Sequence, residues 1–497
     1  MRLLIAALAT TLAIAGLRLD AARHVGFSDT EALFLAYGFH PQPAYVDYPG
    51  LIGGLARLLE PNPFAVHLAT TLAAAALPWA GVLAAWANGA AGVAALRCYF
   101  PLALLPPLCI GSFAFTPDLP QCYLWLAALG CAGVALRRPS ASFGALFASV
   151  GAGVAAGLAC LSKPSGWLLA ASLVACALGR SERPRLRTLS PWAAAGLFAI
   201  ITAPLVGYWK AHGVSLKLAP DLSIASAALA LARPLMGVTP PFLVAGALVA
   251  SDLLRRRGAS AVDRSLSYHL LLPLLPLMAL AACTSAETDW LTPACLVLSL
   301  HVARLPSLRR SLAWTCALTG LGVAFLGWCW LRTSLPLTAG QRFGGYEPAL
   351  DASNDYYAWE PEKQLLEEAV AEIRTRTGQS PIVIGPHWRV CAQAEVALGG
   401  QVHVGCDSIA HDDYDDWSSP VLWDAAQTLL FVTDSRFDAP PDAFFGRDVV
   451  SVRHAVVERF GQAVRTISVS RFERQEGTAG VSPSDRAEPA TAPLLAR

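Results

Sequence analysis

The chain carries little charge for its length: 15% of its 497 residues are Asp, Glu, Lys or Arg, against 55% hydrophobic residues. That composition excludes an ordinary soluble globule and leaves the polytopic membrane class. The net charge of +1 offers no field to attract a polyanion, so no nucleic-acid partner is expected. Lysine is scarce as well, with only four of the 37 basic residues being lysine. There is no glycine-rich phosphate loop, no CxxC pair and no nucleophile elbow, which removes the usual marks of nucleotide, redox and serine-hydrolase chemistry. The twelve cysteines do not make a disulfide framework, because ten of them, Cys98 to Cys329, fall within or at the ends of apolar segments, where Cys behaves as a small hydrophobe. Cys391 and Cys406 fall in the polar C-terminal part and are a candidate pair if that part lies outside the cytoplasm.

What is present is a series of apolar runs of membrane-crossing length. Eleven spans are predicted, at 3–19, 65–87, 93–113, 119–136, 143–161, 166–179, 191–209, 238–254, 266–283, 291–304 and 311–331. The first resembles a signal peptide, but a chain with many further spans keeps such a segment as a helix. Arginine clusters at Arg137–Arg138, Arg180 to Arg187, Arg255 to Arg257 and Arg304 to Arg310 all fall on one side of this arrangement. The positive-inside rule makes that side cytoplasmic. The N-terminus is then cytoplasmic, and a first loop of residues 20–64 lies outside together with everything after the last span.

The outer side also collects the candidate chemistry. The first loop holds Asp29, Glu31, Asp47 and Tyr48 and is longer than a turn between helices requires. A carboxylate at a membrane boundary suits general-base work, although Ser28 or Asp29 equally suits an N-cap with Glu31 in the first turn. Asp118 opens span four, and Lys163 sits in the tight SKPSG turn between spans five and six. An ammonium there needs an anion, either Asp118 or a phosphate. Glu287, Asp289 and Trp290 share a further outer turn, and Arg233 closes an outer stretch whose Leu222–Leu231 segment is weakly amphipathic. Residues 1–335 thus form the membrane domain. Residues 340–472 are predicted as a small α/β domain, with a helix over 360–377 and strands over 381–385 and 428–433. Residues 473–497 are predicted as a disordered tail. The acidic run His411 to Asp416 lacks EF-hand spacing and reads as a solvated loop.

These residues resemble the membrane-embedded glycosyltransferases of the GT-C type, in the branch of bacterial protein-O-mannosyltransferase-like and aminoarabinose-transferase-like enzymes (families 39 and 83). That branch opens its first outer loop with an Asp-Glu pair and later carries an aromatic-Asp-His-Pro-Pro stretch. The matching residues are Asp29-Thr30-Glu31-Ala32-Leu33-Phe34 and Tyr45-Val46-Asp47-Tyr48-Pro49-Gly50, followed by Thr116-Pro117-Asp118, Gly157 to Lys163, and Asp289-Trp290 with Pro293. Thr30 stands where the family has Asp, which moves the acidic role to Asp29, and His-Pro-Pro has become Tyr48-Pro49-Gly50.

The resemblance implies an inverting transferase of the bacterial inner membrane that uses a polyprenyl-phosphate-linked sugar, with a glycan, lipid or protein as acceptor on the periplasmic face. Lys163 and Arg233 would meet the donor phosphate, and Asp29 or Glu31 would act as base. Asp47, Tyr48, Asp118, Glu287, Asp289 and Trp290 would position the acceptor or the loops. No cofactor is firmly implied, and a divalent cation held by the outer carboxylates stays open. The competing classes are a transporter or flippase for a lipid-linked substrate and a non-catalytic envelope assembly protein. Against the transporter, the ionisable residues crowd one face and no repeat is visible.

Overall fold

The computed structural model describes residues 1–212, 246, 248–249, 251, 260–283, 292–302, 309–332, 341–342, 345–348, 351, 353–409, 411–459 and 461–474. In chain order, α1 (Arg2–Ala22) leads into a loop bearing α2 (Asp29–Ala36) and α3 (Leu51–Ala56), and α4 (Pro63–Ala87) follows. Three short helices, α5 (Val93–Leu96), α6 (Tyr99–Leu104) and α7 (Pro106–Cys109), precede α8 (Asp118–Arg137), α9 (Phe143–Ser162), α10 (Gly166–Leu178) and α11 (Leu189–His212). The helical part ends with α12 (Ala261–Cys283), α13 (Thr292–Val302) and α14 (Arg309–Arg332). Among the described residues α1, α4, α8, α9 and α11 are long and apolar enough to cross a membrane, and α10 and α13 are shorter apolar helices. The protein is a polytopic helical membrane protein.

The predicted span at 93–113 is not one helix. Pro101, Pro106 and Pro107 withdraw N–H donors and break it into α5, α6, α7 and a final turn at Gly111–Phe113. The carbonyls left at the end of α7 need donors, and Arg18 of α1 supplies them from a buried position. Its Nη2 lies 2.6 Å from Leu108 O, 2.7 Å from Cys109 O and 2.9 Å from Ser112 Oγ. A buried arginine in a membrane helix is here the partner of a broken neighbour. Most of the predicted span 238–254, the stretch Leu222–Leu231, the arginines at 255–257 and the tail beyond residue 474 lie outside the described residues.

The C-terminal part begins with a small antiparallel pair, β1 (Gln341–Arg342) and β2 (Gly345–Tyr346). It continues through α15 (Ser353–Thr377), β3 (Ile382–Gly385), α16 (Trp388–Ala397), β4 (Val404–Cys406), α17 (Asp413–Trp417), α18 (Pro420–Ala425), β5 (Thr428–Asp434), β6 (Ala443–Phe444), β7 (Arg447–Arg459) and β8 (Gln462–Glu473). One six-stranded sheet has the order β4-β3-β5-β8-β7-β6. Strands β4, β3 and β5 are parallel, and the β5–β8, β8–β7 and β7–β6 pairs are antiparallel. TLLFVTD of β5 is buried at all seven positions, as a central strand covered on both faces must be. Cys391 and Cys406 are both buried free thiols, each pushed up from its ordinary pKa, Cys391 chiefly by burial and Cys406 chiefly by their mutual contact.

The long first loop and the α/β unit share one core. Phe27, Phe34, Tyr37 and Tyr45 pack in the same cluster as Trp359, Leu366, Val390 and Val432. Tyr37 and Tyr45 stack at 3.7 Å with an interplanar angle of 4°, and His40 stacks on Trp417 at 4.0 Å. The chain leaves α1 so close to α15 that a Cβ on Gly26 would lie 2.3 Å from Trp359 Cβ; only glycine fits there. The loop is long because it is half of an interface.

Candidate active site

Helix α2 is set by its first turn. Ser28 Oγ accepts from Glu31 N at 3.3 Å and Glu31 Oε2 accepts from Ser28 N at 3.1 Å, a reciprocal capping box. The other oxygen of Glu31 accepts from Phe115 N at 2.9 Å and lies 3.0 Å from His67 Nε2. Glu31, fully buried, therefore pins α2 to α4 and to the segment before α8. Asp29 turns the other way. Its Oδ2 lies 2.5 Å from Arg436 Nη1, and its Oδ1 accepts from Gln393 Nε2 at 3.2 Å.

Arg436 also chelates Asp434, with Nε at 3.0 Å from Oδ1 and Nη2 at 2.6 Å from Oδ2, and reaches Asp355 Oδ1 at 3.1 Å. Arg465 pairs with Asp355 as well. Beside this cluster, burial and then the carboxylates of Asp434 and Asp29 push the Glu362 pKa well up.

The residues of α2 and its C-cap that line the cavity follow the helical period: Thr30, Leu33, Phe34 and the capping Tyr37, at i, i+3, i+4 and i+7. They form one wall of a cavity of about 290 Å³. Val46, Asp47 and Tyr48 from the same loop continue that wall. The membrane bundle adds Thr116, Pro117, Asp118 and Lys163, and the α/β unit adds Trp388, Arg389, Asp412, Asp413 and Tyr414. The site is therefore built from both halves of the molecule.

Lys163 is the residue that ends α9, and its Nζ lies 2.7 Å from Asp118 Oδ1 at the start of α8. Ser162 Oγ donates to Pro117 O at 2.8 Å, which holds those two helix ends together. Asp413 is only 5% exposed. Its carboxylate accepts from Tyr37 Oη at 2.9 Å and from Val46 N at 2.7 Å. Burial raises its pKa to about 6 against the opposing pull of those hydrogen bonds. Asp412, the N-cap of α17, is also raised by burial. The cavity thus offers cations at Lys163 and Arg389 and a weakly acidic carboxyl at Asp413. That combination suits proton removal beside a developing anion.

Of the residues singled out in the sequence, Asp47, Tyr48, Asp118 and Lys163 come together in this cavity. Asp29 and Glu31 lie behind its α2 wall, engaged as described. Arg233, Glu287, Asp289 and Trp290 lie outside the described residues. The sequence reading passed over Arg389 and Asp413. The run His411 to Asp416 is not a uniformly solvated loop, because α17 begins within it and turns Asp413 inward. The available signal was a capping pattern, Asp412 with Asp415, inside the acidic run.

The comparisons give a family-model match over part of the chain and a fold shared along nearly its whole length. Residues 48–209 match the family model described as dolichyl-phosphate-mannose-protein mannosyltransferase. The structure of ArnT from Cupriavidus metallidurans in the apo state superposes with a TM-score of 0.59 at 14% identity, covering 94% of this chain and 97% of that one. The same protein bound to undecaprenyl phosphate gives 0.58 at 13% identity with the same coverage. The oligosaccharyltransferase of Archaeoglobus fulgidus gives 0.49 at 13% identity over 86% of this chain and 67% of that one. At these identities the likeness is one of fold. No curated protein sequence matches the chain.

Proposed function

We propose that the protein moves a sugar from a polyprenyl-phosphate-linked donor to an acceptor at the membrane face that carries the α/β unit, the periplasmic face of a bacterial inner membrane. One observation carries the reading. In a fold shared with a protein that binds undecaprenyl phosphate, the Lys163–Asp118 pair opens into a 290 Å³ cavity that also presents Asp413.

The donor phosphate sits against Lys163, whose ammonium Asp118 orients, with Arg389 adding a second cation from the α/β unit. Arg233 belongs to the same proposal from outside the described residues. The acceptor, a glycan, lipid or protein, lies along Asp47 and Tyr48, with Glu287, Asp289 and Trp290 assigned to the acceptor side. Its O–H or N–H attacks the anomeric carbon from the face opposite the phosphate, and the proton passes to Asp413. The bond from the anomeric carbon to the phosphate oxygen breaks with its electron pair on that oxygen, where Lys163 stabilises the charge. The products are the glycosylated acceptor, inverted at the anomeric carbon, and polyprenyl phosphate. Asp29 and Glu31 take positioning roles in this scheme: Asp29 ties α2 to Arg436, and Glu31 ties it to α4.

The test is release of free polyprenyl phosphate from a panel of polyprenyl-phosphate sugars, with purified protein and envelope extract as acceptor. Release by the parent that Lys163→Ala and Asp413→Asn both lose supports the transferase and identifies its sugar. Folded parent protein that releases nothing from any donor moves the reading to a transporter of lipid-linked substrates.

A further inference from the structure

At the opposite end of the bundle from Lys163, helices α8, α9, α10 and α11 enclose an apolar groove of about 240 Å³. Its α9 wall runs from Ala145 to Ala156. Ala145 is thus about 27 Å from Lys163 along the helix axis at 1.5 Å per residue. The groove is open because its α9 wall carries only Ala, Gly and Ser, facing larger apolar residues such as Leu173, Val174 and Phe198, and it cannot close by sliding the helices together. At Gly153, α9 and α11 already meet backbone to backbone, and a Cβ there would lie 2.4 Å from Ala194 O.

The mouth of the groove is cationic. Arg185 is anchored, with Nη1 3.0 Å from Ala135 O, Nη2 2.8 Å from Leu136 O and Nε 2.9 Å from Glu182 Oε2. This ties the loop after α10 to the end of α8 and neutralises Glu182. Arg183 and Arg187 are exposed and adjoin the lining residues Glu182, Leu186 and Thr188 in the chain, and the exposed Arg138, whose carbonyl accepts from Arg185 Nη1 at 3.2 Å, has its guanidinium over Gly144 at the start of α9. An apolar slot with an excess of positive charge at one end matches an amphiphile with an anionic head.

We propose that this groove binds an anionic phospholipid from the leaflet opposite the α/β unit, one acyl chain in the slot and the phosphate among Arg138, Arg183 and Arg187. The donor's polyprenyl chain is a poor match. Its phosphate belongs at Lys163, at the other end of α9, whereas this rim asks for the anion at the Ala145 end.

Native mass spectrometry of the full-length protein, titrated with phosphatidylglycerol and with phosphatidylcholine, reads the site directly. Phosphatidylglycerol is expected to bind at least tenfold more tightly. Replacing all three rim arginines by Gln abolishes that preference, at about fivefold for each charge removed. Ser149→Phe, which fills the slot from a half-buried position, lowers binding of both lipids. As a check on folding, phosphatidylglycerol raises the Tm of the parent but not of either variant, whose lipid-free Tm matches the parent's. A second test adds undecaprenyl phosphate as competitor. Equal retention of the two lipids, a preference unchanged by the variants, or displacement of phosphatidylglycerol by undecaprenyl phosphate overturns the proposal.

Discussion

Replacing Asp413 by Asn removes a proton acceptor from the cavity while keeping its shape. The amide oxygen still accepts from Val46 N, and the Tyr37 hydroxyl can turn to accept from the new NH₂ group. With the Asp413 pKa near 6, a base at this position is about one-tenth deprotonated at pH 5 and almost fully so at pH 7.5. In the parent, kcat/KM should rise about tenfold per pH unit below about 6 and level off above 7. In Asp413→Asn that acid limb disappears and the plateau falls by about 10²- to 10⁴-fold, the usual worth of a positioned base. Stability moves the other way. A carboxyl raised from 3.8 to about 6 by burial favours the fold while protonated, below pH 4, and this contribution is lost as the pH climbs through about 6. The loss amounts to at most about 3 kcal/mol. Asp413→Asn should therefore melt no lower than the parent at pH 7.5 and should lack the parent's decline between pH 4 and 6. The assay is polyprenyl phosphate release from pH 4.5 to 8.5, paired with thermal unfolding at the same pH values. A variant that keeps the acid limb and loses less than about threefold in rate refutes the assignment of Asp413 as base.

Lys163→Ala should lower kcat by about 10²- to 10³-fold, with Lys163→Arg recovering part of it; equal kcat in all three proteins would remove Lys163 from the phosphate site. Thr30 lines the cavity on α2, so Thr30→Asp placed in the Asp413→Asn background should restore at least tenfold of the lost rate, measured in the same release assay. Arg436→Met leaves Asp29, Asp434 and Asp355 without their shared cation and should cost about 3–5 kcal/mol, read by chemical denaturation. Asp29→Asn should keep kcat within about fivefold of the parent, and a hundredfold loss at unchanged Tm would return the base to Asp29.

The membrane class and most helix positions were legible because they rest on composition and on runs of apolar residues. The predicted spans at 65–87, 119–136 and 143–161 agree to within two residues with α4, α8 and α9. The segment at 93–113 was not legible as a broken element, since hydropathy does not register three prolines, nor that the last helix ends on carbonyls that a buried arginine of α1 satisfies. Scarcity and location marked Lys163 as needing an anion, with Asp118 one of the two candidates, and the structure pairs them. Asp413 was not marked in this way, because an acidic run says nothing about which member a short helix turns inward. The family pattern drew attention to Asp29 and Glu31, but the faces of α2 are decided by its 3.6-residue period. That period turns Thr30 to the cavity, Asp29 to Arg436 and Glu31 to His67.

Helix α2 has eight residues, too few to be stable on its own in water. Its geometry must come from what grips it. The α/β unit holds it at both ends, with Arg436 on Asp29 at the first residue and Asp413 on Tyr37 just past the last. The membrane bundle holds it in between, through Glu31 to His67 and to Phe115 N. These grips leave the Thr30, Leu33 and Phe34 face to the cavity. Oil-like packing alone tolerates sliding, whereas a chelated guanidinium shared by three carboxylates fixes one register. The Tyr37 grip involves Asp413, the group assigned to take the acceptor's proton, so any displacement of the α/β unit moves the cavity wall and the base together. In the proposed scheme the α/β unit is thereby part of the reaction centre, and Arg436, through Asp29, is one of the ties that hold it to the wall opposite Lys163.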